Sequence, residues 1–328
     1  MMSKVNSILI GAGIMAIAAA TLLGPTTMPT GRFLAALFGA GESGDMIVIW
    51  EIRLPRALAA FIVGAALGAS GAALQGLLRN PLAEPGVLGV SASAALGASL
   101  ILFYGGTAIP AVAVPVAAIV CALAATAFLT VAAIRVGSVV TLILIGVGIS
   151  SFAGAVAALL LNLAPNPFSL ADLLNWTLGT VANRSYADIF VAAPFLLAGF
   201  VCLGASARAL TALSLGEETA FSLGVNLQRT RLLVVLGAGL ATGAAVAIAG
   251  AIGFVGIIAP HLVRPYVRQD PARTLVPAAL AGGVILVIAD IGVRLLPTPA
   301  ELRLGVVAAL IGAPVFVWIA AQRNRNSS

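Results

Sequence analysis

The stretch RLPRALAAFIVGAALGASGAALQGLLRNPLAEPGVLGV, residues 53–90, decides the fold of this chain. It opens with a basic, proline-marked entrance and continues as a Gly/Ala/Ser-rich apolar run as far as Arg79. Small residues let helix backbones approach closely in lipid, where apolar attraction between helices is weak. Pro81 and Pro85 then end the helix and leave backbone polar groups that a membrane tolerates only in buried or water-lined surroundings. The stretch therefore predicts a tightly packed helix that leads into a broken element beside an aqueous cavity.

The composition is that of a polytopic membrane protein. Hydrophobic residues make up 61% of the 328 residues and charged residues only 9%, with a mean hydropathy of +1.14. Soluble domains carry about 25% charged residues, so a globular-core interpretation is excluded. The net charge of +6 would suggest nucleic acid in a soluble protein. Here the enrichment of Arg and Lys in cytoplasmic loops explains the charge, and no nucleic-acid partner is expected.

Glycine, proline and charge divide the chain into apolar segments of spanning length. Because one span takes about 20 apolar residues, a single all-α transmembrane domain over residues 1–328 accommodates roughly ten spans. The predicted spans are 5–23, 55–78, 86–104, 112–134, 139–162, 187–210, 231–251, 254–268, 274–296 and 303–321. The first is longer than the apolar region of a signal peptide and lacks a cleavage site, so we expect it to be retained.

The basic residues predict an orientation for these spans. With the N-terminus inside, eleven of the 17 Lys and Arg residues are cytoplasmic and six are outside, and both termini lie in the cytoplasm. Residues 62–79 are echoed by residues 235–252, and the two copies would cross in opposite directions, as inverted repeats do. Gly/Ala-rich membrane sequence also resembles itself by chance, so both interpretations of the echo stay open.

The chain lacks the residues that an ATPase or a metal site needs. A P-loop requires a lysine after a glycine-rich turn, and the only lysine, Lys4, follows Met-Met-Ser. Cys121 and Cys202 each lie alone in an apolar stretch, so neither a disulfide nor a zinc site is expected. His261 is the only histidine, and we interpret it as a packing residue. We therefore expect no enzymatic activity, no catalytic residues, no bound metal and no cofactor in this chain.

An ion-coupled secondary transporter is the alternative class, and it would need ionisable groups within the bilayer. Asp290 is the best candidate, but Arg294 follows at the i,i+4 spacing that permits an ion pair. A structural pair is favoured over a proton relay. An intramembrane enzyme would need converging His, Asp or Ser groups at membrane depth, and the sequence has almost none.

Two further features have both a structural and a functional interpretation. The segment LGEETAFSLGVNLQRTR, residues 215–231, has Leu215, Thr219, Ala220 and Leu223 on one helical face. It is either an ordinary amphipathic loop helix or a helix that docks into a groove of a partner. The outer arginines either anchor helix ends at the headgroups or bind carboxylates of a partner. These arginines are Arg53, Arg56, Arg294 and Arg303.

Sequence blocks in a fixed order carry a resemblance to a known family. They are RLPR, GAALGASGAALQ and RNPLAEPGVLGVS, then LGEETAFSLGV (215–225), GFVGIIAPHLVR (253–264) and PAELRLGVVAALIGAPVF (299–316). Together they resemble the FecCD-type permease subunits of ABC importers for iron-siderophores, haem and cobalamin. The resemblance implies a type II ABC importer permease fold with two inverted-repeat-like halves in the bacterial inner membrane. It also implies transport of a metal chelate, with ferric siderophore first and haem or cobalamin as alternatives.

The resemblance also implies partners and site residues. The expected partners are a second permease copy in a homodimer, two P-loop ATPase subunits that bind ATP and Mg, and a periplasmic binding protein. A coupling segment at about 213–231 would contact the ATPase, and the four outer arginines would dock the binding protein. The coupling residues would be Gly216, Glu217, Glu218, Ala220, Leu223 and Gly224. The cytoplasmic gate would comprise Asn80, Leu82, Ser138 and Thr141.

Overall fold

The computed structural model describes residues 2–24, 28–105, 110, 112–135, 138–164, 167–296 and 301–326, and this part of the chain is all helical. The α-helices are α1 (Met2–Leu22), α2 (Thr30–Leu37), α3 (Ser43–Ile47), α4 (Leu54–Leu78), α5 (Val90–Gly105), α6 (Ala113–Arg135), α7 (Val139–Asn162), α8 (Pro167–Leu178), α9 (Tyr186–Leu213), α10 (Glu217–Ser222), α11 (Leu227–Ala249), α12 (Val255–Val263), α13 (Pro271–Leu295) and α14 (Leu304–Asn326). Every predicted span overlaps one of these helices, and the helical architecture confirms the all-α polytopic fold.

The helices differ in their capacity to cross a membrane. In the described part of the chain, seven are long and apolar enough by length and composition, while α5 and α14 contribute shorter apolar segments. The predicted crossing at 254–268 is wrong as one continuous span. Residues 250–254 are not helical and α12 has only nine residues, about 14 Å of helix against a hydrocarbon core of about 30 Å. Positive φ angles at Gly250 (71°) and Phe254 (66°) separate α11 from α12.

Helices α4 and α11 form the centre of the bundle, and they carry the two copies of the sequence echo. Most of their residues are buried. Gly76, near the end of α4, lies against Leu210 in the last turn of α9. Gly199 of α9 packs on Ala241 of α11 and Gly237 of α11 on Leu203 of α9, so α9 and α11 are antiparallel. Therefore α4 and α11 run in opposite directions, as the inverted repeat predicts.

Close backbone contacts explain the small residues of α4. A Cβ added at Gly64 would overlap the carbonyl oxygen of Gly282, and one added at Gly68 would overlap that of Ala278. Both acceptors lie on α13, which makes the most extensive helix contact of α4. The prediction of tight, small-residue helix packing is confirmed, since no side chain fits at these positions without moving the two helices apart.

The structure shows helical elements before α4 that the sequence pattern does not predict. The second span is predicted to begin at residue 55, but the helix begins at Ser43 and passes through a π-helical segment, Val48–Arg53, into α4. Helices α2 and α3 are joined by Arg32, whose Nε lies 2.8 Å from Asp45 Oδ2 and whose Nη2 lies 3.0 Å from Glu42 Oε2. These helices have only eight and five residues, which is too short for a periodic pattern to identify them in the sequence.

Candidate functional site

A buried ionic group, here called the arginine cluster, lies at the N-terminal end of α4. It comprises Arg53, Arg56, Asp290, Arg294 and Glu301. Arg56 donates to Asp290 from Nη2 (2.7 Å) and Nε (3.0 Å), and it also pairs with Glu301. Arg294 Nε lies 3.1 Å from Asp290 Oδ2. The predicted i,i+4 pair is therefore confirmed, while Glu301 is a partner that the sequence pattern did not identify.

The same arginines hold the C-terminal end of α1. Arg53 Nη1 donates to the carbonyl oxygens of Leu22 (2.7 Å) and Thr21 (3.2 Å), and Arg294 Nη1 donates to that of Ala20 (3.0 Å). The last carbonyls of a helix have no partner within the helix and carry partial negative charge. Two cations therefore satisfy the end of α1 and attach it to α4 and α13.

Their burial bears directly on the docking role expected for the outer arginines. Only 4% of Arg53, 9% of Arg56 and 8% of Arg294 is exposed, and each side chain contacts partners within this chain. Arg303 is half-buried at the start of α14. Docking of a binding protein by these residues stays a prediction, and in the single chain the first three connect helices.

A second polar group, here called the polar junction, joins the break after α4 to the break before α12. Gln75 Nε2 donates to the carbonyl oxygens of Ala83 (3.2 Å) and Gly256 (3.1 Å), and Gln75 Oε1 accepts from Arg264 Nη2 (2.6 Å). Gln75 is 2% exposed. Its signal in the sequence is that it is the only long polar residue within α4 after Arg56.

Glu84 completes this junction from the irregular segment after α4. Its Oε1 accepts a hydrogen bond from the backbone N–H of Phe254 (2.9 Å) at the start of α12. Burial raises the pKa of the Glu84 carboxyl, and the hydrogen bond from Phe254 opposes that rise. Unpaired backbone groups at the two helix breaks thus find side-chain partners, as a broken helix in a membrane requires.

The four residues predicted to form a gate lie on two separate turns. Asn80 Oδ1 accepts from the backbone N–H of Leu82 (3.1 Å), and Ser138 Oγ accepts from that of Thr141 (3.4 Å) as the N-cap of α7. Contacts between the two regions lie further along each element. There, Ser150 Oγ donates to the carbonyl oxygen of Gly86 (3.3 Å). The gate role stays a prediction.

The coupling segment forms a short helix that exposes apolar side chains at the opposite end of α4 from the arginine cluster. Gly216, with a φ of 109°, precedes α10, and Ala220 is fully buried against the bundle. Leu215, Phe221 and Leu223 are 65%, 72% and 63% exposed, and we call these three side chains the α10 face.

Other coupling residues have their own places around this helix. Glu217 pairs with Arg231 of α11 (3.1 Å), Glu218 is exposed, and Gly224 has open space around its Cα and a φ of 81°. The sequence interpretation that grouped Leu215, Ala220 and Leu223 is wrong in one respect. Ala220 packs inward, whereas the two leucines remain uncovered.

The chain is similar in sequence to known permease proteins. The chain is 36% identical to the hemin transport system permease protein HmuU of Yersinia pestis, over 89% of each chain. It is 37% identical to the vitamin B12 import system permease protein BtuC of Vibrio cholerae, over 90% of this chain and 89% of that protein. It is 39% identical to an uncharacterized ABC transporter permease, YvrB of Bacillus subtilis, over 85% and 80% of the two chains.

A solved structure extends the agreement to the fold. An inward-facing conformation of a metal-chelate type ABC transporter matches with a TM-score of 0.86 and 30% identity, covering 98% of this chain and 99% of that one. Residues 10–322 match the FecCD transport family. The chain belongs to the FecCD transport family, whose members are membrane permeases.

Proposed function

We propose that this protein is the permease subunit of a binding-protein-dependent ABC importer that moves a metal chelate across the bacterial inner membrane. The observation that carries the proposal is the match of nearly the whole fold to a metal-chelate type ABC transporter. The relatives named for hemin and vitamin B12 support haem and cobalamin as cargo. Ferric siderophore, the first expectation from the sequence, belongs to the same chemical class of bulky metal chelates.

Two exposed surfaces support the proposed assembly. The α10 face presents three large apolar side chains beyond the ends of α9 and α11, which suits a helix-in-groove contact with an ATPase subunit. Helix α7 is the least buried of the helices long enough to span a membrane, and Val140, Leu144 and Val147 line its exposed side. That apolar side suits a second permease copy in a homodimer.

In the proposed cycle, ATP hydrolysis takes place in the partner ATPase subunits. Two ATPase subunits bind ATP and Mg and pull on the α10 segments, while a periplasmic binding protein delivers cargo at the end that carries the arginine cluster. The permease pair alternates between outward- and inward-facing states, with both termini of each chain in the cytoplasm. Ion coupling through Asp290 has no support, because this carboxylate is 1% exposed and already pairs with two arginines.

The test is co-purification of this chain with the ATPase subunit encoded beside it. Replacing Phe221 and Leu223 by Ala removes two of the three exposed apolar side chains of the α10 face without touching the buried Ala220. Truncation of a buried anchor in an interface costs about 1–2 kcal/mol or more, so we expect affinity for the ATPase to fall at least about tenfold.

The control is Leu310→Ala on α14, which removes a side chain of similar exposure (69%) far along the chain from α10. It should leave the ATPase affinity unchanged. A wild-type chain that binds no ATPase would refute the proposal, and equal losses for both variants would remove the α10 face from the interface. Uptake assays of the assembled importer with haem, cobalamin and ferric siderophore then identify the cargo.

A further inference from the structure

A small polar pocket lies where α4 ends and α13 begins. Its volume is about 210 Å³. It is lined by Gln75, Gly76, Arg79, Pro81, Ser214, Arg264, Gln269 and Pro271. Two guanidinium groups and no carboxylate are among these side chains, and we call the site the Arg79–Arg264 pocket.

The charge of Arg264 lacks an acidic partner within the described chain. Its Nη2 donates to Gln75 Oε1 (2.6 Å), which is a neutral amide, and no described carboxylate pairs with it. Two other arginines at this end of the bundle have acidic partners, since Arg231 pairs with Glu217 and Arg273 with Asp270. An arginine that is half-buried and uncompensated is costly unless an anion accompanies it.

Asp270 is the acidic residue closest in sequence to the pocket, and its oxygens are already in use. Oδ1 accepts from Thr211 Oγ1 (2.6 Å) and from the backbone N–H of Ala272 (2.9 Å), while Oδ2 lies 3.2 Å from Arg273. As N-cap of α13, this carboxylate makes its ion pair with Arg273 and none with Arg264 among the described contacts. It does not supply the missing negative charge.

Arg79 adds a second cation from a different element. It ends α4 with a left-handed backbone (φ 47°), and its side chain is exposed. A cation at the end of a helix is favourable on its own, which accounts for Arg79. Arg264 is the C-cap residue of α12, and it lines the same pocket although it is half-buried.

We propose that the Arg79–Arg264 pocket binds a phosphate group, either the headgroup phosphate of an anionic phospholipid or free inorganic phosphate. Arginine presents several N–H donors in a planar fork that matches phosphate oxygens, and two arginines line this pocket. Gln269 also lines the pocket, and an amide group of this kind can donate to phosphate oxygens. The pocket volume is suited to a group of this size rather than to a whole cargo chelate.

A bound phosphate would add ionic contacts between elements that already pack together. It would join the end of α4 to the segment after α12 and to the start of α13. Ser214, the last pocket residue before the α10 segment, lies on the same wall. Binding should therefore stabilise the folded protein at the end of the bundle that carries α10. This inference does not depend on the identity of the cargo.

The experiment measures thermal unfolding of the purified full chain in neutral detergent during titration with inorganic phosphate at constant ionic strength. We expect a saturable rise in the unfolding midpoint. Arg79→Gln removes an exposed guanidinium without disturbing the polar junction, and it should weaken phosphate binding at least about tenfold. Arg264→Gln should abolish the rise. Arg135→Gln is the matched control, since Arg135 is also an exposed arginine at the end of a helix.

A second arm separates the two sources of phosphate. Native mass spectrometry after mixing with phosphatidylglycerol or phosphatidylcholine micelles counts retained lipids on the wild type and on Arg79→Gln. Selective retention of phosphatidylglycerol that Arg79→Gln loses identifies a lipid headgroup, whereas a phosphate titration without such retention identifies the free ion. The proposal is overturned if neither ligand binds, or if Arg79→Gln and Arg135→Gln behave alike.

Discussion

Arginines at the two ends of the helical bundle have different partners. At the N-terminal end of α4, Arg56 and Arg294 share the buried carboxylate of Asp290, and Arg53 and Arg294 satisfy the end of α1. At the other end, Arg264 has only a neutral amide as its partner, and the apolar α10 face is uncovered. At the first end, the charged groups connect helices within the chain. At the second end, no carboxylate of the described residues pairs with Arg264, and no described element covers the α10 face.

The difference shows that charge type alone does not reveal a docking surface in a membrane protein. The positive-inside rule disfavours arginines on the outer side of the membrane, so an external partner is one explanation for their presence there. In this structure the three buried arginines have partners within the chain. Ion pairs connect α4 to α13, and hydrogen bonds to backbone carbonyls connect α1 to both, while docking of a binding protein stays a prediction. Uncompensated groups at the α10 end are the better guide to what this chain binds.

Breaking the arginine cluster should give the largest effect on stability. Asp290→Ala leaves Arg56 and Arg294 buried without their shared carboxylate, and removal of one partner from a buried ion pair costs about 3–5 kcal/mol. Thermal unfolding in detergent measures the loss. Glu42→Ala, which breaks the exposed pair with Arg32, is the control and should cost less than about 1 kcal/mol. Equal losses would show that the cluster does not connect the helices.

Within the same cluster, Glu301→Gln should have a smaller effect than Asp290→Ala. The Glu301 side chain is 34% exposed, so water partly replaces it as the partner of Arg56. We expect a loss of about 1 kcal/mol in the same unfolding assay. A loss as large as that of Asp290→Ala would place Glu301, rather than Asp290, at the energetic centre of the cluster.

Glu84 offers a test of the polar junction through pH. Because burial raises its pKa in the folded state, the folded protein binds more protons than the unfolded chain between the two pKa values. The contribution of Glu84 to stability is therefore greatest below the unfolded pKa and falls as the pH rises through the folded pKa. Glu84→Gln keeps an oxygen that accepts from Phe254 and removes this dependence.

The measurement compares unfolding midpoints of the wild type and Glu84→Gln from about pH 4, close to the ordinary glutamate pKa of about 4.3, up to about pH 8. The two should converge at the acidic limit, and the variant should be the more stable at the alkaline limit. A wild type that gains stability relative to the variant with rising pH would contradict the burial of this carboxyl.

The smallest effect is expected at the α10 end itself. Glu217→Gln removes the ion pair with Arg231, in which Glu217 is 43% exposed, and should change stability by less than about 0.5 kcal/mol. A larger change, measured by thermal unfolding, would mean that α10 is held by this pair rather than by the buried Ala220.

Much of the fold follows from the sequence because apolar length and glycine spacing obey local rules. Pro81 and Pro85 identify the break after α4, and Gly64 and Gly68 identify its packing face. The nine-residue α12 was harder to predict, since two positive φ angles interrupt an apolar run that satisfies a spanning pattern. Local patterns contain no information on where such a run bends.

The candidate sites depend on contacts between distant residues, and the sequence identifies these only in part. Asp290 and Arg294 are one turn apart, so their pair is predictable, but Glu301 meets Arg56 across 245 positions of sequence. Gln75 and Arg264 are separated by 189 positions. The exposed Leu215 and Leu223 have the same residue type as core leucines, so only the tertiary structure distinguishes them.

Uptake of cargo by proteoliposomes tests most directly the proposal that a separate ATPase drives this permease from the α10 end. Vesicles with this chain alone are compared with vesicles that also hold its ATPase subunit, each with the binding protein, metal chelate cargo and ATP. We predict accumulation of cargo only when the ATPase subunit is present. Accumulation against a gradient by this chain alone would contradict the account.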